Sequence, residues 1–204
     1  ICASEQAAII DQDIWDEAIE LFKRFKVYFV NKEEKIKLSR YMFGYAEGDK
    51  DVELAKLNPD IVGQSAHWIA KQAGFDVPED TSILGVFCQQ VGPKEPISRE
   101  KLSPVLAYFC VKDEKEGFQR AKEMVEFNGL GHSAAIHCKE QKMADDFGEV
   151  VKAIRIIWNS PSTFGGIGNV YNSFLPSLTL GCGSYGHNSI GGNISAVNLL
   201  NIKQ

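Results

Sequence analysis

The sequence predicts an α/β fold, a three-layer αβα arrangement around a mostly parallel sheet. Three observations carry that prediction. Four short apolar runs, ILGVFC at 83–88, VLAYFCV at 105–111, SAAIHC at 133–138 and AIRIIW at 153–158, are continuous rather than alternating, as strands covered on both faces are. The spacers after the second and third runs have helical patterning, so strands and helices alternate. The 204 residues are 44% hydrophobic and 24% charged, an ordinary globular composition that excludes a disordered or fibrous chain.

Each element follows from local signals. Residues 7–10 (AAII) read as a short strand or an apolar turn. After Asp13, the residues Ile14, Ala18, Leu21, Phe22 and Phe25 recur at helical spacing. Asp13 and Glu17 near the start, and Lys23, Arg24 and Lys26 near the end, suit the helix dipole. A second helix is expected over 32–44, ending at Gly44, and a third over 61–72, stopped by Gly74. The stretch between them, 45–60, is loop-like or weakly helical. QQVGPKEPISREKLS reads as a long loop with room for one helical turn. Helices are expected from Asp113 to Phe127 and over EQKMADDFGEVV. From Asn159 the texture changes: residues 159–193 hold nearly half of the 18 glycines and read as loop, with one strand near 177–180.

Charge and cysteine usage narrow the function classes. With 22 basic against 27 acidic residues, a net of -5, the chain has no global cationic surface for nucleic acid. No run of about 18 apolar residues exists, so no membrane helix is expected. Five scattered cysteines, an odd number, read as reduced thiols of a cytoplasmic protein. The opening ICASEQ is neither a methionine start nor a signal peptide, and reads as the middle of a larger chain. Residues 1–204 are taken as one domain with a glycine-rich carboxy-terminal segment over 159–193.

The motifs are weighed residue by residue. Gly181, Gly183 and Gly186 spell G-x-G-x-x-G after the apolar SLTL, but HNSIGGN follows instead of a helix, and no acid ends a later strand. A tight loop near a site or at a subunit contact fits better than a phosphate cradle. His132, His137 and Cys138 are close in sequence, yet His137 and Cys138 point to opposite faces of a strand, and neither C-x-x-C nor H-E-x-x-H occurs; no metal site is expected. Cys88, Cys110 and Cys138, at the ends of apolar strands, read as buried core thiols. Cys2 differs: small Ala3 and Ser4 and polar Glu5 and Gln6 follow it. Spacing alone leaves it either a packing cysteine or a nucleophile.

With Cys2 and the glycine-rich tail both in view, the chain resembles the CoA-acylating aldehyde dehydrogenases, in particular the aldehyde dehydrogenase half of bifunctional aldehyde-alcohol dehydrogenases. The resemblance is carried in order by ICASEQ (1–6), NPDIVGQSA (58–66), REKLSPVLA (99–107), FNGLGHSAAIH (127–137), PSTFGGIGNVYN (161–172), PSLTLGCGSYGHNS (176–189) and NLLNIK (198–203). It implies that this is the catalytic domain, without the family's nucleotide-binding domain. Cys2 takes the place of the family's nucleophile, which adds to a small aldehyde, passes hydride to NAD and yields a thioester that coenzyme A receives. Glu100 matches the glutamate that reaches the nicotinamide ribose, and His132 the histidine of the G-x-G-H segment near the active site. His132 is read either as a proton carrier for CoA or as a loop histidine that orders a turn. Tyr185 keeps the family's aromatic, and no role passes to His187. The resemblance also implies a homo-oligomer or filament. Taken alone, the chain is expected to bind NAD weakly and to turn over little. The alternative reading is a non-catalytic fragment that folds and self-associates. The shared site is expected to form because strands 105–111 and 133–138 lie side by side, placing Glu100 and His132 at one end of the sheet.

Overall fold

The computed structural model describes residues 1–169, 172–201 and 203; Val170 and Tyr171 of PSTFGGIGNVYN, and Ile202 of NLLNIK, lie outside the described residues. The chain forms two compact units, Glu5–Met124 and Ile1–Ser4 with Val125–Gln204.

The first unit holds a four-stranded sheet, β1 (Ala7–Asp11), β2 (Val27–Phe29), β3 (Ile83–Phe87) and β4 (Val105–Val111), in the order β1-β4-β3-β2. All its neighbours run parallel. Three helices cover it: α1 (Trp15–Arg24), α2 (Lys32–Phe43) and α3 (Ala66–Ala73). α2 starts where it does because Asn31 and Glu34 form a reciprocal cap: the Asn31 side chain accepts the Glu34 N–H at 3.0 Å and the Glu34 carboxylate accepts the Asn31 N–H at 2.8 Å. Gly44, at φ 79°, ends it. α3 starts five residues later than expected, since Pro59–Ile61 forms a separate turn and Ser65 caps the helix through Trp68 N–H.

Helices cover both faces of this sheet, as the fold class requires. Leu38, Met42 and Phe43 of α2 and Ile69 and Ala70 of α3 bury one face, with Leu84, Val86, Ala107 and Phe109. Ile19 of α1 buries the other, with Ile10, Val27, Leu106 and Tyr108. The buried stripe of α1 differs from the expected one. Trp15, Ala18, Ile19 and Phe22 face the sheet, while Ile14, Leu21 and Phe25 are exposed. Two apolar stripes at helical spacing coexist in IWDEAIELFKRF, and spacing alone does not choose between them. β2, only three residues long, is a further strand. Its Phe29 ring stacks on Phe87 at 4.8 Å and crosses Gly85, where a Cβ would come within 2.7 Å of the ring.

α4 (Glu114–Asn128) passes from the first unit into the second. The second unit holds β5 (Gly131–Ile136), α5 (Gln141–Val150), β6 (Ala153–Trp158) and α6 (Ser162–Ile167). β5 and β6 pair in parallel. A Cβ on Gly148 of α5 would meet Ile156, and one on Gly165 of α6 would meet Ile157, so the helices cover opposite faces.

The α/β class and the parallel strands therefore hold, but two expectations need correction. The four anticipated strands do not share a sheet: among the described residues β3 and β4 join β1 and β2, and β5 pairs with β6 alone. Apolar runs announce covered strands, not which strands are neighbours. The strand near 177–180 shrinks to a single antiparallel bridge, Leu180 to Asn193. The core-thiol expectation holds for Cys88, which is buried, but Cys110 is exposed and Cys138 partly so. Cys110 lies within β4 between the buried Phe109 and Val111, and Cys138 lies two residues past the end of β5.

Candidate active site

Cys2 sits on a tight turn closed by a 2.9 Å bond from Ser4 N–H to the Ile1 carbonyl. The turn leaves Cys2 exposed and Ala3 buried. Its seat is the small-residue helix α6. A Cβ at Gly166 would lie 3.7 Å from the Ala3 Cβ, 3.7 Å from Leu180 and 3.9 Å from the Ser133 hydroxyl. The bare glycine is thus where the cysteine turn, the start of β5 and the glycine-rich segment converge. Thr163 donates to Ser4 at 3.4 Å and ties the turn to the same helix.

His132 is the second residue of β5. Gly131 before it has φ 83°, and a Cβ there would stand 2.2 Å from the Cys182 carbonyl and 2.8 Å from Gly186 N. Only glycine lets the 181–186 loop close onto the start of the strand. The imidazole Nδ1 lies 3.0 Å from Ser133 Oγ. Nε2 is buried, with no hydrogen-bond partner among the described residues. Burial, and then the neighbouring Arg155 guanidinium, hold the imidazole pKa below its ordinary value.

Arg155 lies on the inward face of β6, only 2% exposed. Its Nη1 donates to the His132 carbonyl at 3.0 Å, Nη2 to Gly181 at 2.7 Å and Gly192 at 3.3 Å, and Nε to Asn193 Oδ1 at 3.0 Å. Asn193 in turn donates to the carbonyls of Gly166 at 3.0 Å and Leu175 at 2.8 Å. The loop also bonds to itself, Gly181 to Gly192 and Gly183 to Ile190, each at 3.0 Å. A Cβ at Gly181 would stand 2.1 Å from the Ile190 carbonyl. These glycines serve close approach of backbone to backbone, and among the described residues no α-helix follows to receive a phosphate.

Glu100 belongs to the first unit, half-buried just before β4. Its loop is anchored by Lys101, wholly buried, whose ammonium donates to the carbonyls of Ile97 at 2.9 Å and Arg99 at 2.8 Å. Burial pulls the Lys101 pKa down to about 8. Deeper in, the carboxylate of Glu95, 1% exposed, pairs with Lys35 at 2.5 Å and accepts the Ile97 N–H at 3.4 Å.

The structure thus brings Cys2 and His132 into one unit around Gly166 and places Glu100 in the other. The expected adjacency of β4 and β5 is absent, because β4 pairs with β1 and β3. Sequence reasoning passed over Arg155 and Asn193. The available signal was a charge in the middle of the apolar run AIRIIW. Among the described residues no cluster of His, Cys, Asp or Glu could hold a metal ion, and no helix is long and apolar enough to cross a membrane.

No family model matches the chain. It is 60% identical over all 204 residues to an aldehyde-alcohol dehydrogenase of Streptococcus pneumoniae, spanning 23% of that protein. Among solved structures, an acetylating aldehyde dehydrogenase from Geobacillus thermoglucosidasius superposes with a TM-score of 0.89 at 38% identity, over 100% of this chain and 43% of that one. A propionaldehyde dehydrogenase from Rhodopseudomonas palustris, solved with bound CoA and an acylated cysteine, shares the fold. There the TM-score is 0.72 at 18% identity, over 87% of this chain and 38% of that one. The chain therefore spans less than a quarter of its aldehyde-alcohol dehydrogenase relative and less than half of the solved relatives.

Proposed function

Homologous over its whole length to the acetylating aldehyde dehydrogenases, this chain, we propose, carries the acyl-transfer centre of a CoA-acylating aldehyde dehydrogenase. One observation supports the reading most: an exposed cysteine on a turn seated against α6, in the same unit as an imidazole whose buried Nε2 has no partner among the described residues.

The chemistry follows from these groups. The Cys2 thiolate adds to the aldehyde carbonyl and forms a thiohemiacetal. NAD, when bound, supplies the hydride acceptor that converts this adduct to a thioester. The Glu100 carboxylate suits a ribose diol, whereas the tightly packed 181–186 glycines offer no cradle for the pyrophosphate. The CoA thiol then gives its proton to His132 Nε2, its sulfur bonds to the acyl carbon, and Cys2 leaves as thiolate. A neutral imidazole is the form this step needs. In the full-length enzyme, Cys2→Ala abolishes CoA-dependent NADH formation from acetaldehyde; retained turnover refutes the assignment.

A second reading has its own observation. Leu178, Val197, Leu199 and Leu200 are all more than 60% exposed, an apolar surface suited to self-association. Concentration-dependent light scattering decides it: a mass that stays monomeric over a hundredfold dilution series removes this reading and leaves the catalytic one untouched.

A further inference from the structure

We propose that Arg155 is a positioning residue of the thiol-exchange step, fixing the start of β5, and with it His132, to the glycine-rich loop while its own charge stays unpaired. The inference rests on the acyl-transfer reading above and names a group that this reading does not require.

Geometry carries it first. The guanidinium is buried and bonded on three sides to uncharged oxygens: the carbonyls of His132, Gly181 and Gly192 and the side chain of Asn193. Among the described residues no carboxylate pairs with it. A buried cation held only by dipoles keeps its field, which an ion pair would cancel. That field falls on His132, the residue whose carbonyl Arg155 holds. A second positive charge there is disfavoured by burial and by repulsion alike, and the lowered imidazole pKa agrees. In the tautomer whose Nδ1–H donates to Ser133 Oγ, the Nε2 lone pair is left free.

The other charged or titratable groups at this end of β5 do not supply the effect. Lys152 at the start of β6 is paired with Glu126 at 2.8 Å. Cys182 and Tyr185 come from the glycine-rich loop, Cys2 from the amino-terminal turn, and α6 has no titratable residue. As the bond to CoA forms, the C–S bond to Cys2 breaks and its sulfur leaves as thiolate. The CoA proton rests on Nε2, and no oxidant or reductant is consumed.

The test uses the 204-residue chain itself. Histidine ring signals are titrated by NMR in the wild type, in R155K and in R155Q, with H132N assigning the resonance. R155Q is expected to raise the His132 midpoint by about half a pH unit or more, toward the ordinary imidazole value, while R155K leaves it low. Exchange of labelled CoA into acetyl-CoA is followed in parallel. R155Q should slow it by up to about twofold at pH 6, since burial still holds the imidazole low, with little effect at pH 8, and R155K should restore the pH 6 rate. An unchanged midpoint in a folded R155Q overturns the proposal. If R155Q does not fold, an R155K midpoint at the ordinary value overturns it. Should H132A exchange CoA at the wild-type rate, the base assignment fails instead, while the NMR titration still decides what Arg155 does.

Discussion

Replacing Lys35 by Met isolates the charge pair beneath the Glu100 loop. Glu95 is 1% exposed, and its carboxylate accepts from the Lys35 ammonium at 2.5 Å and the Ile97 N–H at 3.4 Å. Lys35 itself also bonds the Phe87 carbonyl at 3.2 Å. Removing the lysine leaves either a buried, uncompensated anion or a protonated acid. Protonation is the cheaper course. At pH 7 it costs about 1.4 kcal/mol for each pH unit above the ordinary carboxyl pKa of about 4.3, or about 3–4 kcal/mol. The sign in the wild type points the same way. Burial raises the Glu95 pKa despite the pull of Lys35. The folded carboxyl therefore holds its proton more tightly than the unfolded one, and this group's contribution to stability falls as pH rises through the window between the two values. Urea denaturation of K35M should show a loss of about 3 kcal/mol at pH 7, shrinking to about 1 kcal/mol near pH 4.5, where the acid is protonated in any case. K35M/E95Q should recover most of the loss at pH 7. A pH-independent loss, or one below about 1 kcal/mol at pH 7, would show that the pair does not act as described.

Cysteine mapping after brief iodoacetamide treatment should label Cys2 first and Cys88 last, since burial pushes the Cys88 thiol up to about 12. Cys110 should lag behind Cys2 although both are exposed, because residual burial and the carboxylates of Asp11, Glu116 and Asp16 raise its pKa; a dominant Cys110 adduct would contradict this. Gly165→Ala would force a Cβ to 2.4 Å from Ile157 Cγ2 and should cost about 1–3 kcal/mol in denaturation, whereas in an I157A background, which lacks that methyl, the same change should cost less. Loss of the same size in both backgrounds would mean that the α6–β6 contact is not the cause.

Local signals made much of this fold readable. The helix start at residue 32, the stops at Gly44 and Gly74 and the covered strands 105–111 and 153–158 each depend on a few neighbouring residues, and each is found where the sequence places it. What failed depended on distant partners. Nothing within VLAYFCV or SAAIHC says that the first joins β1 and β3 while the second pairs only with β6. The exposure of Cys110, between buried Phe109 and Val111, depends on what covers one face of β4, which the run itself does not show. At the site, Cys2, His132 and Glu100 were named through the family resemblance, since residue types and spacing left Cys2 open. Arg155 escaped because a strand with one charge in an apolar run looks like a strand with one exposed position. Only the β6 register shows that this charge faces inward, with Ala153 and Ile157.

The central claim is that Cys2 accepts an acyl group from a thioester, and the reverse of the exchange step tests it without any nicotinamide. The chain is incubated with acetyl-CoA, quenched in acid and digested, and the cysteine peptides are weighed. The account predicts one acetyl group on the ICASEQ peptide at Cys2, released by added CoA and absent from Cys2→Ala. Acetylation spread equally over Cys110 and Cys138, or an adduct on Cys2 that CoA does not remove, would contradict it.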